Sequence, residues 1–360
     1  MLFFDLIQIA LGHKTELSHA PSDEEWKELY ALSKKQTLLG ITAAAIEKIP
    51  AHQRPAKPLL LQWYVTAEHI KDLNESLNIK AVKISEMFYK HGFRNIILKG
   101  QGIAKLYEIA QLEKYRTPGD IDIWLEGSRE NIVEYVRKSR PNSKVVYHHI
   151  DFGEIDGVDV EIHSTPSWMN CYFTNKKLQN FFSQCKDDLF RRCDTLQGDI
   201  PTPSLYFNSI YILIHIYRHL FHEGIGLRQL MDYYFVLRQG LTESEAREAM
   251  EVLRSLRMER FAGAVMWIMQ EVFGLEEGYM LTTPSEKDGR FLLNEIMISG
   301  NFGQYDIRVW RNNNESDLSH AIRKIKRSLS FIHYYPSEVV WSPLFKLWHY
   351  FWRRKANNTK

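Results

Sequence analysis

Apolar residues recur with helical spacing through most of the first ninety positions of the chain. Ser22 and Glu25 form a capping box ahead of one such run, and two longer runs cover residues 38–49 and 59–88. The first fourteen residues, MLFFDLIQIALGHK, have the spacing of an amphipathic helix. This part of the chain is therefore predicted to be helical throughout.

The pattern changes after Gly92. The segment FRNIILKG holds a short, continuously apolar run that is typical of a buried strand. DIDIWLE alternates polar and apolar residues and predicts a second strand, and SRENIVEYVRKS predicts a helix after it. KVVYHHIDFGEIDGVDVEIHS predicts a hairpin that turns at Asp156 and Gly157.

Helical spacing returns beyond about residue 200. Helices are predicted over residues 203–223, 227–239 and 242–257, and further helices run to the end of the chain. The pattern predicts an α+β fold, with a small sheet flanked by helices and a large C-terminal helical region. We expect three parts, which are a helical region at 1–92 that packs on the core, an α/β core at 93–200 and a helical domain at 201–360.

Composition narrows the class of protein. The 360 residues are 44% hydrophobic, as in an ordinary folded protein, and 46 basic residues nearly balance 44 acidic ones. A net charge of +2 argues against wholesale coating of nucleic acid. No stretch approaches the ~20 apolar residues of a spanning helix, and the N-terminus lacks a signal-peptide pattern. Cys171, Cys185 and Cys193 lack metal-type spacing and fit a reducing compartment, so we expect a cytoplasmic protein.

Two aspartates stand at the second predicted strand, in YRTPGDIDIW. Because strand side chains alternate, Asp120, Asp122 and Trp124 share one face while Ile121 and Ile123 share the other. We expect the isoleucines to be buried and the two acids to point together into open space.

The second strand of the predicted hairpin repeats this arrangement, with Asp159, Glu161 and His163 on one face. If the two strands are neighbours, three or four carboxylates converge, and divalent cations would relieve their repulsion. Carboxylate oxygens suit Mg²⁺, and paired ions assist in-line displacement at phosphorus. The pattern therefore favours phosphoryl or nucleotidyl transfer. The alternative is an edge strand whose Asp-x-Asp triplet is merely solvated.

These segments resemble the nucleotidyltransferase superfamily whose fold is that of DNA polymerase β. Its members have a strand, a glycine-bearing turn into a short helix, a strand with two alternating acids, and a third acid on a later strand. Here IILKGQGIAKLY, GDIDIW and VDVEIHS match in that order. More narrowly, the chain is similar to a bacterial group of uncharacterised nucleotidyltransferases, through HLFHEGIGLRQLMDYYFVL and through Arg116, Asp120, Asp122, Glu161 and His163.

The resemblance implies a small mixed sheet of the polymerase β-like type. It also implies an Mg²⁺-dependent enzyme that transfers NMP from an NTP to an acceptor, which would be a protein, an RNA or a small molecule. Asp120, Asp122 and Glu161 would be the catalytic residues and the ligands of two Mg²⁺ ions. Gly100 would let the backbone approach the triphosphate, with the N–H groups of residues 100–102, including Gln101, facing its oxygens.

Further residues are candidates for nucleotide binding. Lys99 and Arg116 are natural phosphate partners, and a surface ion pair is the alternative for each. His163 would orient a carboxylate or contact the acceptor, or else be a hydrogen-bonded structural histidine.

Three histidines, His215, His219 and His222, share one helical face. We expect them to form a polar stripe facing the nucleotide cleft rather than a zinc site. Arg228 and Asp232, an i, i+4 pair on the next predicted helix, would lie beside the stripe, with Asp232 holding Arg228 for contact with base or phosphate. Helix packing alone is the alternative for this pair.

The last forty residues carry nine basic residues and one acid, Glu338. Trp341, Phe345, Trp348 and Trp352 occur in the same region. This combination suits weak contact with RNA, DNA or an anionic membrane surface. The favoured interpretation is a terminal helix that docks its aromatic residues on the core and leaves a solvated basic rim.

Two other functions remain open. Asp-x-Asp also marks glycosyltransferases and a family that decorates surface polysaccharide, which would make the chain a sugar-phosphate or phosphocholine transferase. A catalytically silent, antitoxin-like binding module would use the fold as a scaffold. Gly100 and Glu161 favour nucleotidyl transfer over transfer of sugar phosphate or phosphocholine. The presence of all three acids, Asp120, Asp122 and Glu161, argues against a catalytically silent module.

Overall fold

The computed structural model of the chain describes residues 1–193, 199–308 and 317–358. The N-terminal part is helical, as predicted. Its helices are α1 (Leu2–Ala10), α2 (Asp23–Lys35), α3 (Leu39–Lys48) and α4 (Lys57–Lys90). The capping box before α2 is present, because Ser22 Oγ accepts from the Glu25 N–H while the Glu25 carboxylate accepts from the Ser22 N–H.

Helix α4 is 34 residues long and has Pro58 in its first turn, where a missing N–H costs little. Its first half buries Trp63 and Ala67 in one hydrophobic cluster, and its second half buries Ile84 and Phe88 in another. The helix thus belongs to both clusters of the described chain.

Four strands form one mixed sheet. They are β1 (Asn95–Ile97), β2 (Ile121–Leu125), β3 (His149–Ile155) and β4 (Val158–His163). Their order is β1-β2-β4-β3, with β2 and β4 parallel and the two outer pairs antiparallel. The α+β fold is confirmed, and the two acid-bearing strands β2 and β4 are neighbours, which meets the condition for convergence of their acids.

The hairpin turns at Asp156 and Gly157, which both have the positive φ that a two-residue type I′ turn requires. Its first strand is shorter than predicted. Residues 144–148 fold back on the strand instead of extending it, and Val145 pairs with Ile150 in an isolated bridge. The fold-back brings His148 next to the start of β3.

Helices connect and follow the strands. Those near the sheet are α5 (Gln101–Ala104), α6 (Arg129–Ser139) and α7 (Tyr172–Cys193). The C-terminal ones are α8 (Leu205–His222), α9 (Leu227–Arg238), α10 (Glu243–Ser255), α11 (Glu259–Phe273), α12 (Glu286–Ser299), α13 (Asp317–Ser330) and α14 (Pro336–Asn358). The boundaries of α8, α9 and α10 agree with the predicted ones to about two residues. None of the described helices is both long and apolar enough to cross a membrane.

The hydrophobic clusters lie on opposite faces of the sheet. The smaller cluster fills the space between α4, α6 and one sheet face, where Ile121 and Ile123 are buried as predicted. The larger cluster joins α1, α2 and α3 to α8, α9, α10, α11 and α12, and the other face of β2 contributes Trp124 to it. The division into three domains stays a prediction.

The expectation that both aspartates of β2 point into open space is wrong for Asp122, whereas the side chain of Asp120 is partly exposed. Trp124 packs edge-on against Phe190 of α7 and stacks on Phe207 of α8. Asp122, on the same face, is only 2% exposed. Because helices cover this face at Asp122, the charge of Asp122 must be balanced by protein groups or bound ions rather than by bulk water.

Candidate functional site

The strand register brings the three predicted catalytic acids together. In the parallel pair β2–β4, Asp122 lies opposite Glu161. Asp120 comes two residues earlier, directly after Pro118 and Gly119. One carboxylate oxygen from each acid lies within 4.8 Å of those of the other two. The three side chains can therefore share a cation.

Asp122 is the most enclosed of these acids. Its Oδ2 lies 2.8 Å from Lys99 Nζ, and its Oδ1 lies 2.9 Å from His163 Nε2. Burial by itself would raise the pKa of Asp122, but Lys99 and His163 outweigh burial and hold that pKa well below its usual range. The carboxylate is ionised at neutral pH, so it accepts and His163 Nε2 donates.

Lys99 is the protein's own counterion for the two aspartates. Its Nζ also lies 3.6 Å from Asp120 Oδ1. Burial would lower the pKa of Lys99, but Asp122 and Asp120 outweigh this and raise it. Lys99, the predicted phosphate partner, thus lies between the two aspartates and partly balances their charge.

The surroundings of Glu161 raise its pKa, whereas those of Asp122 lower the pKa of Asp122. Burial and the negative charge of Asp122 raise the pKa of Glu161 to about 7, although His149 works against them. Two histidines, rather than a lysine or an arginine, face its Oε2, with His149 Nδ1 at 3.4 Å and His163 Nε2 at 3.8 Å. Burial lowers the pKa of His163 despite the opposing effect of Asp122. Glu161 is therefore the acid whose charge is least compensated.

The turn between β1 and α5 has a backbone that glycine alone adopts readily. Gly100 has a φ of +60° and a ψ of −114°. A Cβ on Gly102 would lie 2.4 Å from the carbonyl oxygen of Ile97, so strand and helix meet without space for a side chain. The two glycines explain why the chain can turn sharply beside the acids.

The backbone of this turn is partly engaged within the protein. The N–H of Gly102, predicted to face phosphate, donates to the Lys99 carbonyl at 3.1 Å. Gln101 is buried, and its side-chain amide donates to Asn78 of α4. The Gln101 side chain therefore serves the contact with α4.

Arg116, a predicted phosphate ligand, forms a buried ion pair with Asp232. It is 2% exposed and donates from Nε and Nη2 to the two carboxylate oxygens of Asp232 on α9, at 2.7 and 2.9 Å. Tyr107 donates its hydroxyl to the same carboxylate at 2.6 Å. Burial would lower the pKa of Arg116, but Asp232 outweighs burial and raises it. Asp232 thus forms its bidentate pair with Arg116 instead of Arg228, its predicted partner.

A small cavity lies between the Gly100 turn, α8 and α9. It is lined by Lys99, Gly100, Arg116, Gly119, Asp120, Ile212, His215, Arg228, Gln229, Asp232 and Phe302. Arg228 crosses it and donates from Nη1 to the Thr117 carbonyl at 3.0 Å. The volume is about 20 Å³, which is room for roughly one water molecule. A nucleotide can enter only if the walls move apart.

The histidines of α8 share one side of the helix, as predicted. His215 lines the cavity, His219 Nδ1 lies 2.9 Å from Glu223 Oε2, and the His222 ring centroid lies 4.9 Å from that of Trp168. Burial lowers the pKa of His215, of His219 to about 4 and of His222 to about 3. In the described ranges these three do not converge on one point as metal ligands, which favours the polar stripe over zinc.

A second group of converging side chains was not foreseen from the sequence. His149 of β3 lies with Glu161 and His163 of β4, and their ligand atoms are within 4.8 Å of one another. The register explains the proximity, because His149 pairs with His163 and Asp151 pairs with Glu161. Applying the alternation rule to β3 as well as to β4 would have found this group.

The C-terminal helices combine docked aromatic residues with exposed ones. Phe345 is buried and stacks on Trp168 with ring centroids 4.1 Å apart, and Trp352 lies at the edge of the smaller cluster. Trp348 is 46% exposed. The predicted docking on the core thus holds for part of the aromatic set. Lys360 of the predicted basic rim lies outside the described residues.

Carboxylates that converge beside a glycine turn are typical of enzymes that act on phosphate groups through metal ions. Residues 22–274, more than half of the chain, match an uncharacterised nucleotidyltransferase family. The chain belongs to this family, and family membership makes it a nucleotidyltransferase whose acceptor is unidentified. Searches among curated proteins and among solved structures gave no match.

Proposed function

We propose that the chain transfers NMP from an NTP to an acceptor by in-line attack at the α-phosphorus, with Mg²⁺ as the metal. The observation that carries this proposal is the convergence of Asp120, Asp122 and Glu161 beside the Gly100 turn. The order of strand, glycine turn, paired acids and third acid on a neighbouring parallel strand supports a polymerase β-like fold.

The residues present suit hard divalent cations. Asp120, Asp122 and Glu161 offer oxygen atoms, which Mg²⁺ prefers, and their combined charge exceeds that of Lys99. Asp120 and Asp122 would hold the ions, and Glu161, which faces Asp122 across the strand pair, would complete the second metal site. When bound, Mg²⁺ would orient the triphosphate and stabilise charge on the attacking and leaving oxygens.

The chain's own groups would perform the remaining steps. Glu161, which faces Asp122 across the strand pair, would accept the proton of the acceptor hydroxyl or orient that hydroxyl. His163 orients Asp122 through its hydrogen bond. Lys99, released from the aspartates, would reach a phosphate oxygen, and Arg228 on the cavity wall would supply a second cation.

Entry of the nucleotide requires the cavity to open, and we assign this movement to residues 300–303. Phe302 closes one side of the cavity and has a φ of +50°. Gly300 and Gly303 flank it with φ of +62° and +65°. Glycine accepts large changes of φ and ψ at little cost, so Gly300 and Gly303 would be the hinges of this movement, which has to separate Gly303 from the closely packed backbone of Glu223 and Gly224.

Calorimetric titration with Mg²⁺ and each NTP tests the proposal. The double variant Asp120→Asn with Asp122→Asn is expected to lose binding of metal and nucleotide while keeping the circular dichroism of the wild type. Asp159→Asn is the matched control, because it makes the same chemical change at an exposed position of β4. Unchanged affinity for Mg·NTP in the double variant would contradict the proposal.

The acceptor is the remaining part of the reaction. Wild-type protein incubated with NTPs labelled at the α-phosphorus and with host lysate should label a protein, an RNA or a small molecule. Transfer of labelled sugar phosphate or phosphocholine without transfer of NMP would favour the alternative transferase. We propose the cytoplasm as the compartment, which agrees with free thiols at Cys171 and Cys185.

A further inference from the structure

We propose that His149, Glu161 and His163 form a second metal site, with nitrogen ligands, that takes a divalent transition metal such as Zn²⁺. This site shares Glu161 with the three carboxylates but differs from them in its ligand chemistry. The inference goes beyond the proposed function and does not depend on it, because the binding of an ion here can be measured without any nucleotide.

The separations between the ligand atoms fit a single ion. His149 Nδ1 lies 3.4 Å and His163 Nε2 lies 3.8 Å from Glu161 Oε2. The three ligand atoms all lie within 4.8 Å of one another, which leaves the fourth position of a tetrahedral ion to water or substrate. Around a tetrahedral ion with bonds of ~2.0–2.1 Å, neighbouring ligand atoms stand about 3.3 Å apart. The two measured separations from Glu161 Oε2, 3.4 and 3.8 Å, are close to this value, so a small movement of the side chains would fit them to one ion.

Asp151 fixes the ring of His149 in the orientation that metal binding requires. Its Oδ1 lies 3.1 Å from His149 Nε2, so Nε2 carries the proton and Nδ1 presents its lone pair towards Glu161. Metal-binding histidines commonly have a carboxylate on their other nitrogen in this way. The arrangement follows from β3, where residues 149 and 151 share a face.

Two buried imidazoles beside Glu161 have unused hydrogen-bonding capacity. His148 and His163 are 7% and 2% exposed, and in the described part of the chain neither Nδ1 has a hydrogen-bond partner. Such buried, unsatisfied nitrogens are exceptions in folded proteins. When His163 binds the ion through Nε2, its proton moves to the unused Nδ1, and the hydrogen bond to Asp122 is given up.

The ligand chemistry separates this site from the carboxylate site. Imidazole nitrogen suits Zn²⁺ and Co²⁺, whereas Mg²⁺ prefers oxygen. A transition metal at His149, Glu161 and His163 would engage Glu161 and His163 Nε2, so it would compete with Mg²⁺ for Glu161 while Asp120 and Asp122 stay available to Mg²⁺.

Titration of metal-free protein with Co²⁺ tests the site, because the visible absorption of Co²⁺ reports nitrogen ligation and coordination number. One equivalent of Co²⁺ should give the intense bands of a tetrahedral complex, which Zn²⁺ abolishes and a large excess of Mg²⁺ does not. His149→Ala should lose the bands. Asp151→Asn should weaken Co²⁺ binding about 10–100-fold. His91→Ala, an exposed histidine at the end of α4, is the matched control and should keep them.

Two results would overturn the inference. One is an unchanged Co²⁺ spectrum in His149→Ala, and the other is displacement of Co²⁺ by Mg²⁺ as readily as by Zn²⁺. The double variant Asp120→Asn with Asp122→Asn should retain the Co²⁺ bands, which separates this site from the proposed function. If wild-type protein binds Co²⁺ but no Mg·NTP, the nucleotide proposal fails while the metal site stands.

The C-terminal helices carry a second, independent inference. We infer that α13 and α14 dock on the surface of an anionic lipid bilayer. Exposed apolar residues follow one side of each helix at helical spacing. On α13 and the turn after it they are Ile322, Ile325, Leu329 and Ile332, and on α14 they are Val340, Leu344, Leu347 and Phe351.

Among the side chains that the structure describes in this region, the exposed charged ones are basic. Lys324, Lys326, Lys346, Arg353 and Arg354 are exposed, whereas Glu338 is buried. Exposed aromatic rings, such as those of Trp348 and Tyr350, are also typical of the interfacial zone of a bilayer. Rows of aliphatic side chains stack poorly on bases, so the surface fits anionic lipid better than RNA.

Sedimentation with vesicles tests this docking. The full chain should bind vesicles that contain phosphatidylglycerol, bind phosphatidylcholine vesicles weakly, and lose affinity as salt rises. Leu347→Ser with Phe351→Ser should reduce binding at least tenfold, and Leu61→Ser, an exposed leucine of α4, should leave it unchanged. Equal binding by both variants would overturn the inference. So would salt-dependent binding to RNA without binding to vesicles, or self-association that the double variant abolishes.

Discussion

Two buried aspartates of this protein have contrasting partners. Asp232 faces one arginine whose two N–H groups meet its two oxygens, and Tyr107 adds a third donor. Asp122 shares one lysine with Asp120 and stands opposite Glu161, another acid. Exposure does not distinguish the two aspartates, at 6% and 2%. The two aspartates differ instead in how fully nearby positive charge balances their own charge.

The contrast separates a structural carboxylate from a functional one. A buried ion pair offsets its desolvation only when its geometry is good and its hydrogen bonds are complete, as around Asp232. Carboxylates in excess of their cations destabilise the folded protein and are typical of sites where a ligand supplies the missing charge. We therefore expect substitutions at Asp122 to affect chemistry first, and substitutions at Asp232 to affect stability first.

The largest effect is expected for Asp122→Asn. If Asp122 holds a metal ion as proposed, its loss removes several kcal/mol of transition-state stabilisation, so the rate of NMP transfer should fall at least ~10³-fold. The free energy of unfolding should change less than in Asp232→Asn, because Lys99 keeps Asp120 as a partner. Transfer of label from α-labelled NTP measures the rate. A rate within tenfold of wild type would remove Asp122 from the catalytic machinery.

Asp232→Asn should have the largest effect on stability. It leaves the Arg116 guanidinium buried without a counter-charge, which costs about 3–5 kcal/mol of unfolding free energy. Urea denaturation measures this cost. The double variant Arg116→Met with Asp232→Leu should recover most of the loss, because neither member of the pair is then left as a buried charge without its partner. A single variant within ~1 kcal/mol of wild type would show that Arg116 finds another partner.

A third buried carboxylate extends the comparison to an acid without any cation. Glu338 accepts the backbone N–H groups of Asn170 and Cys171, at 2.8 and 3.3 Å. Burial raises its pKa from 4.5 to about 7 against the effect of these hydrogen bonds. The folded protein then binds the proton more tightly than the unfolded chain. This contribution to stability is fully present below pH 4.5 and is lost as pH rises through about 7.

Glu338→Gln tests the sign of this effect. Between pH 5 and 8 the wild type should lose roughly 2 kcal/mol of unfolding free energy through Glu338, and the variant should lack this component. Urea denaturation across that pH range provides the measurement. Parallel pH profiles for the two proteins would contradict the assignment.

The smallest effect is expected for Gly100→Ala, which tests the turn beside the acids. The positive φ should cost about 1–2 kcal/mol in stability. Gly153→Ala is the control, because Gly153 has a φ of +84° with open space around it. Both variants should lose similar stability, measured by thermal unfolding, and Gly100→Ala alone should weaken NTP binding. Equal NTP affinity in the two variants would separate the turn from the triphosphate.

Local signals were sufficient for most of the fold. The capping boxes at Ser22 and Thr242 and the turn at Asp156–Gly157 act within a few residues, and the structure contains each of them. The proximity of Asp122 and Glu161 was also predictable, because two strands with the same alternation of acids suggest a common face. The short first strand of the hairpin was not predictable, because residues 144–148 fold back through tertiary contacts.

Partners that are distant in sequence limited the prediction of the site. The pair formed by Arg116 and Asp232 joins residues 116 positions apart, and sequence spacing favoured the local candidate Arg228 instead. The burial of Asp122 was missed for a similar reason, because α7 and α8 cover its strand from far along the chain. Lys99 as a counterion could be inferred only once the strand register was known.

The long helix α4 has a mechanical consequence for the site. It spans about 50 Å at 1.5 Å per residue and is built into both hydrophobic clusters. At its midpoint Asn74 donates to the carbonyls of Lys114 and Arg116, in the loop that leads to Asp120. Helix α4 therefore connects both hydrophobic clusters to the loop that positions Asp120. Loosening either cluster should displace the acids. We therefore expect heat to abolish activity and structure in one transition.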